Sequence, residues 1–306
     1  MRRLLQQKWF YVVLILLGVL AAAYWWQGNT SSHQERSGGS SHPKLQVVTS
    51  GYVPYTLTKE IAGDLVDIQM LVPPGTEPHS FEPTPGAIIA VDKADIFLYS
   101  SLQLEPWVKD LLAGLPKARS IETSPVLPGE DPHVWMTPIG ALSIAKNIEK
   151  ALAKADPSHK SVYKENLKQF EKEMQQLHKD FDEGLKTCQS YNLIHIGHLA
   201  FKALAETYDL NLQALSNTSH QSEHSVYKIT GLIRFVKGRK VAAVFTEEMV
   251  SPDLARMVAQ ETKVKILPLY TIEEVSKADF EQGVRYTDYM RRNLHNLQEG
   301  LQCQAS

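Results

Sequence analysis

Residues 161–186 read SVYKENLKQFEKEMQQLHKDFDEGLK, and this stretch decides the architecture of the chain. Its apolar side chains recur every three or four residues, which is the spacing of one face of an α-helix. They are Tyr163, Leu167, Phe170, Met174, Leu177, Phe181 and Leu185. At a rise of about 1.5 Å per residue the helix is roughly 40 Å long, enough to run along two domains. Tyr and Phe in this row favour packing against the protein's own domains over the alternative, a coiled-coil dimer, so a monomer is expected.

Short apolar strands are predicted on both sides of this helix, with helices between them. The predicted strands are 45–49, 66–72, 95–99, 191–196, 241–246 and 264–267. Alternating strands and helices predict parallel βαβ units, whose sheets have helices on both faces. The predicted fold class is therefore α/β, with two lobes that each contain a mostly parallel sheet flanked by helices. We place the N-terminal lobe at 44–160, the linking helix at 161–187 and the C-terminal lobe at 188–306.

The first 43 residues are expected to lie outside the fold. Residues 9–26 form an uncharged apolar run, and the basic residues of segment 1–8 precede it, which predicts a cytoplasmic N-terminus. The run is either an uncleaved transmembrane anchor or a signal peptide. Both alternatives export the chain to the periplasm or to the outer face of the cytoplasmic membrane. The Ser/Gly-rich composition of 27–43 is typical of a flexible tether.

Composition narrows the range of functions. The 306 residues include 32 basic and 34 acidic side chains, for a net charge of −2, which gives no electrostatic reason to expect a nucleic-acid partner. Two cysteines are too few for a cysteine-based zinc site. A metal would therefore be bound by the 11 histidines and by carboxylates.

Three histidines are placed where an α/β fold binds ligands. His79 lies in a proline-rich loop after the strand 66–72, and His133 lies between Asp131-Pro132 and a predicted helix. His198 follows the strand 191–196, at the predicted start of a helix over 198–208. Ligand sites of such folds are built from loops at the carboxyl ends of strands. Imidazole nitrogen suits Zn²⁺, so these three are candidate zinc ligands, with a polar loop residue as the alternative for each when it is taken singly.

A second histidine pattern leads to a different hypothesis. His220, Glu223 and His224 match the H-x-x-E-H motif of inverted zinc peptidases, which requires a helix with Glu as the general base. Serines flank the motif here, which favours a polar loop. A membrane-tethered zinc hydrolase that uses these residues remains an alternative. No G-x-S-x-G, P-loop or H-E-x-x-H motif occurs, so we assign no catalytic residue and expect no enzyme.

Several loops resemble those of a known family. The stretches Pro78–Pro85 (PHSFEPTP), Asp131–Trp135 (DPHVW), His198–Phe201 (HLAF) and Val244–Glu247 (VFTE) occur in the family's order. Together they resemble the metal-binding receptors, or solute-binding proteins, of ABC importers for zinc or manganese (cluster A-I). The resemblance extends from Lys44 to Cys303 and implies two lobes joined by a rigid helix.

The resemblance implies metal ligands at His79, His133 and His198. Manganese-binding members tend to have a carboxylate at the third position, so His198 favours Zn²⁺ as cargo over Mn²⁺. No carboxylate lies in 266–271, where many members carry the fourth ligand. We rank water first for the fourth position, then Glu247, as a ligand or behind one, and then Glu273 or Glu274.

The implied function is high-affinity Zn²⁺ binding outside the membrane and delivery to an ABC importer, meaning its membrane permease and ATPase. A Mn²⁺ or Fe²⁺ receptor and a surface adhesin on the same scaffold remain alternatives. Because disulfides persist outside the cytoplasm, we expect a bridge between Cys188 and Cys303, with two free thiols as the alternative.

Overall fold

A computed structural model describes residues 44–114, 120–124, 130–214, 226–238, 241–247 and 252–304. The chain from Leu45 to Ser306 forms one compact unit. The predicted anchor or signal at 9–26, the tether at 27–43 and the motif His220-Glu223-His224 lie outside the described residues. Within the described ranges, no helix has the length and apolar character needed to cross a membrane.

The first lobe is built on a parallel sheet. Its strands are β1 (Leu45–Thr49), β2 (Val66–Met70), β3 (Ile96–Tyr99) and β4 (Ser120–Glu122), in the order β2-β1-β3-β4. Its helices are α1 (Tyr52–Ala62), α2 (Pro85–Lys93), α3 (Trp107–Ala113) and α4 (Pro138–Ala155). Threonine followed by proline starts two of the helices: Thr84 caps α2 and Thr137 caps α4, each side chain accepting a backbone N–H.

The long helix α5 (Lys160–Leu185) starts one residue before the predicted linking helix, 161–187, and ends two residues before its predicted end. Six of the seven apolar side chains of its row are buried, and Leu167 is partly buried. Charged and amide side chains occupy the other faces. Burial of this apolar row stabilises the helix far more than its intrinsic propensity does.

The second lobe repeats the sheet topology of the first. Its strands are β5 (Asn192–Ile196), β6 (Asn211–Ala214), β7 (Ala243–Thr246) and β8 (Lys265–Pro268), all parallel and in the order β6-β5-β7-β8. Its helices are α6 (Lys202–Thr207), α7 (Val226–Lys237), α8 (Pro252–Thr262), α9 (Lys277–Glu281) and α10 (Tyr286–Gly300). The predicted α/β fold with two parallel-sheet lobes is confirmed.

The helices around His198 and at the end of the chain need separate description. The C-terminal region carries two helices, α9 and α10, and Gly283 between them has a φ of +66°. Helix α6 begins at Lys202, so His198 lies in the loop before it rather than at its start. The sequence patterns also missed β4, β6 and α3, each of which is seven residues or shorter.

One apolar core is shared by both lobes. It includes Val47 and Trp135 from the first lobe, Phe181 from α5, and Phe245 and Tyr286 from the second. The Trp135 indole N–H donates to the Thr271 carbonyl (2.9 Å), and the Tyr286 hydroxyl donates to the Trp135 carbonyl (2.6 Å). These contacts tie the first lobe directly to the loop after β8 and to α10.

The expected disulfide between Cys188 and Cys303 is confirmed. It joins the segment before β5 to the chain just after α10, across a sequence separation of 115 residues. The bridge therefore attaches the end of the terminal helix to the amino end of the β5 strand.

Candidate metal centre

Four loops that follow parallel strands meet between the two sheets. His79 follows β2, His133 follows β4, His198 follows β5 and Glu273 follows β8. Two of the loops come from each lobe, and in both lobes they leave the carboxyl ends of the strands. This is the edge at which parallel α/β sheets bind ligands.

The loop that carries His79 is held by several contacts. Five prolines between Pro73 and Pro85 restrict its backbone. The Trp107 indole N–H donates to the Pro78 carbonyl (2.8 Å), and the Phe81 ring packs edge-on against Trp107. The Nδ1 atom of the His79 ring lies 2.9 Å from the Leu104 carbonyl oxygen. The ring is thus fixed with its Nε2 atom toward the other three side chains.

His133 and His198 are more deeply buried than His79. Their side chains are 7% and 1% exposed, against 13% for His79. The Nδ1 atom of His133 lies 2.8 Å from an Asp131 carboxylate oxygen, and the Nδ1 atom of His198 lies 2.8 Å from a Glu247 carboxylate oxygen. Both rings therefore also direct Nε2 into the cluster.

Glu273 is the carboxylate that the tertiary structure adds to the three histidines. It lies five residues beyond the end of β8, and its side chain is 3% exposed. Ile272, just before it, has a φ of +66°. We ranked Glu273 below water and Glu247 as the fourth ligand, but Glu273 is the carboxylate that lies beside the three histidines. Glu247 lies behind the His198 ring, against its Nδ1 atom.

Several separations between the donor atoms are close to the edge length of a tetrahedral coordination shell. The Nε2 atoms of His133 and His198 are 3.3 Å apart. Oε2 of Glu273 lies 3.3 Å from Nε2 of His198, and Oε1 lies 3.4 Å from Nε2 of His79 and 3.6 Å from Nε2 of His133. Zinc bonds of about 2.0–2.1 Å give a tetrahedron whose edges are about 3.3–3.4 Å. The four donors all lie within 4.8 Å of one another, and they form the metal-compatible group found among the described residues.

The charges of the cluster are strongly coupled without metal. Burial would raise the pKa of Glu273, but the three histidines outweigh burial and hold it well below its usual range. Burial would lower the pKa of His79, but Glu273 and Glu77 outweigh burial and raise it to about 9. For His198, hydrogen bonds to Glu247 and Glu273 likewise overcome burial and raise the pKa to about 11. A bound cation would take the place of the protons on the histidine rings and balance the negative charge of the carboxylates.

Glu105 is a further buried carboxyl group near the cluster. It accepts a hydrogen bond from the Ser100 backbone N–H (2.8 Å) and is 1% exposed. Burial raises its pKa to about 7, although hydrogen bonds with Ser50 and Ser100 and the nearby His79 act in the opposite direction. With Glu273 and Trp135 it lines a small cavity that has room for about one water molecule.

Comparison with known proteins settles the family. Residues 47–300 match the family described as ZnuA, zinc-uptake complex component A, periplasmic. The chain belongs to the ZnuA family. The high-affinity zinc uptake system protein ZnuA of Bacillus subtilis is 31% identical over 87% of this chain and 90% of its own length.

Solved structures agree with the ZnuA assignment. The Zn(II)-bound ZnuA-like domain of Streptococcus pneumoniae AdcA superposes with a TM-score of 0.75, at 33% identity, over 84% of this chain and 99% of that domain. The laminin-binding protein Lmb of Streptococcus agalactiae, described as bifunctional with adhesin and metal-transporting activity, gives 0.77 at 34% identity, over 84% of this chain and 99% of its own.

The ZnuA-like chain is shorter than some of its relatives. It is 31% identical to the full zinc-binding lipoprotein AdcA of S. pneumoniae over 84% of this chain, yet it spans only 56% of AdcA. The match therefore covers about half the length of that relative.

Proposed function

We propose that this protein binds Zn²⁺ outside the cytoplasmic membrane and delivers it to an ABC importer. The observation that carries the proposal is the convergence of His79, His133, His198 and Glu273, whose donor atoms all lie within 4.8 Å of one another. Membership of the ZnuA family supports zinc uptake as the process. The fourth ligand in this proposal is Glu273, whose carboxylate lies within 3.6 Å of all three Nε2 atoms.

The donor set favours zinc over manganese. Three imidazole nitrogens and one carboxylate suit Zn²⁺, whereas Mn²⁺ prefers oxygen ligands and octahedral geometry. The four side chains are between 1% and 13% exposed, so the site is closed and leaves little room for the waters of a larger coordination shell. A closed site with four protein ligands is suited to holding an ion for transport, since catalytic zinc sites keep one position open.

The partner and the location follow from the same function. A receptor that captures zinc must release it to a membrane permease driven by an ATPase, and these are the proposed partners of a monomeric chain. The family's description as periplasmic and the relative named a lipoprotein support an extracytoplasmic, membrane-associated location. Residues 9–26 would provide the anchor or the export signal.

Zinc titration of the exported part of the chain tests the proposal. We expect the loss of any one ligand to lower zinc affinity by more than the roughly 10–100-fold that loss of a hydrogen-bond partner of a ligand costs. The four variants are His79→Ala, His133→Ala, His198→Ala and Glu273→Ala. Affinity would be measured by competition with a chromophoric chelator, and the metal of the untreated protein by mass spectrometry. His178→Ala is the matched control, because His178 lies on α5 and contacts Tyr208 rather than the cluster. Wild-type affinity in all four site variants would overturn the proposal.

Surface adhesion is a second candidate, favoured by the likeness to Lmb. A solid-phase assay with laminin, on zinc-loaded and metal-free protein, would test it. The hydrolase alternative depends on His220, Glu223 and His224, outside the described residues, and nothing in the described cluster favours it.

A further inference from the structure

Each histidine of the cluster has its second ring nitrogen against an oxygen atom. For His79 this is the Leu104 backbone carbonyl, at 2.9 Å. For His133 and His198 it is a carboxylate, that of Asp131 and that of Glu247, each at 2.8 Å. A neutral imidazole protonated on Nδ1 carries its lone pair on Nε2, and only the lone pair can bind a metal ion.

We propose that Asp131 and Glu247 are positioning residues of the metal site. Asp131 accepts the Nδ1–H of His133, and Oε2 of Glu247 lies 2.8 Å from Nδ1 of His198. In the proposal, each carboxylate thereby directs the Nε2 lone pair of its histidine at the ion. This inference rests on the proposed zinc-binding function. Carboxylates in this position also make the ring a stronger donor to the metal, more so than a neutral carbonyl does.

Both carboxylate oxygens of Glu247 contact His198. Its Oε1 atom accepts the backbone N–H of His198 (3.0 Å), and its Oε2 atom lies against Nδ1 of the His198 ring. One side chain thus fixes both the backbone and the ring of His198. The Glu247 side chain is 1% exposed, so bulk water has no access to take its place.

Gly197 makes room for this carboxylate. A Cβ atom at position 197 would lie 2.3 Å from Oε1 of Glu247, closer than any real contact. The absence of a side chain at position 197 therefore leaves room for the Glu247 carboxylate beside the backbone N–H of His198.

Asp131 has a second role, because its two oxygens contact different lobes. Oδ1 accepts the backbone N–H of His133 (3.1 Å) and lies against the ring, while Oδ2 accepts the backbone N–H of Ala203 (2.9 Å). Ala203 belongs to α6, which follows His198 in the second lobe. Asp131 thus holds a ligand of the first lobe in register with the lobe that carries His198.

Two conservative variants test the inference on the zinc-loaded protein. Glu247→Gln and Asp131→Asn keep the size of the side chain but weaken the acceptor of the Nδ1–H. We expect zinc affinity, measured by chelator competition, to fall about 10–100-fold in each. In ¹H–¹⁵N spectra of the histidine rings, we expect the Nδ1–H signal of the affected histidine to shift upfield and to exchange faster with water. A residue that only supports the fold would leave this ring signal unchanged.

Glu60→Gln is the matched control. Glu60 is also a largely buried carboxylate, 14% exposed, and it accepts two hydrogen bonds from Arg285 at 2.7 Å, away from the cluster. We expect it to keep wild-type affinity and ring signals. Glu247→Gln and Asp131→Asn test the inference independently. If one variant fails to fold, the zinc affinity and ring signals of the other decide the test.

The outcomes separate the two proposals. A wild-type chain that binds no zinc overturns the proposed function and this inference with it. A wild-type chain that binds zinc, with wild-type affinity and unchanged ring signals in Glu247→Gln and Asp131→Asn, overturns the inference alone.

Discussion

Ile272 has a backbone conformation that is rare for its residue type. A β-branched residue with φ near +66° costs about 1–3 kcal/mol. Ile272 is fully buried, as are Leu269 and Val275 in the same loop, and this packing offsets the cost. Together with this turn, the fold brings Glu273, and not Glu274, to the three Nε2 atoms.

Gly197→Ala is predicted to weaken zinc binding about tenfold or more, because the new methyl group must displace the Glu247 carboxylate from His198. Titration with zinc against a competing chelator measures the change. Gly231→Ala is the control: Gly231 lies in α7, and a Cβ atom there meets nothing within 4 Å. Equal zinc affinity in both alanine variants would contradict the prediction.

At the scale of elements, helix α5 connects the two lobes. Its buried row packs against α1 and α4 of the first lobe and against α10 of the second. A short turn at Pro157–His159 precedes it, and Asp156 lies before that turn. The Asp156 carboxylate accepts hydrogen bonds from the Ser158 hydroxyl, from Nδ1 of His159 (2.6 Å) and from the Tyr163 hydroxyl (2.7 Å). It thereby fixes the first turn of the long helix.

The stability that Asp156 provides should depend on pH. Burial alone would raise the pKa of this carboxyl, but the hydrogen bonds from Ser158, Tyr163 and His159 outweigh it and lower the pKa to about 2. A lowered pKa stabilises the fold above the unfolded value of about 3.9, and this contribution is lost as pH falls through about 2.

Asp156→Asn should therefore cost about 1 kcal/mol of unfolding free energy at pH 7, after allowance for solvent screening. The difference from wild type should shrink between pH 4 and the folded pKa of about 2. Urea unfolding of metal-free protein across this range measures it. A difference that does not change with pH would show that the Asp156 charge is not responsible.

At the scale of the whole molecule, the two lobes form one compact unit. They share a core, the indole of Trp135 and the hydroxyl of Tyr286 link them, and the candidate site takes two donors from each. The disulfide lies at the amino end of β5, whereas His198 follows the carboxyl end of the same strand. The disulfide therefore stabilises the second lobe at the end of β5 that lies away from the candidate metal site.

Replacement of both Cys188 and Cys303 by serine should lower the free energy of unfolding by about 2–5 kcal/mol, because the unfolded chain gains freedom over a long loop. Zinc affinity should stay at the wild-type value. Denaturant unfolding and chelator competition measure the two effects. A reductant should destabilise wild type and leave the double-serine variant unaffected; a loss of zinc affinity in that variant would contradict the separation of bridge and site.

Strong periodic patterns were enough to predict the layout of the fold. The helix at 160–185 and most strands follow from local spacing, because burial of one face imposes that spacing on the sequence. The short elements β4, β6 and α3 contain too few residues for a periodic pattern, and their structure depends on neighbouring strands and helices.

The sequence by itself determined the α/β class, the two lobes with their linking helix, and three histidines at the ends of strands. Only the tertiary structure decided the fourth donor and the partners of the rings. Glu273 reaches the cluster through the turn at Ile272, and Asp131 and Glu247 reach the histidine rings through the meeting of separate loops. The physical reason is that local periodicity reports which face of an element is buried, whereas a metal site is defined by distances between side chains far apart along the chain.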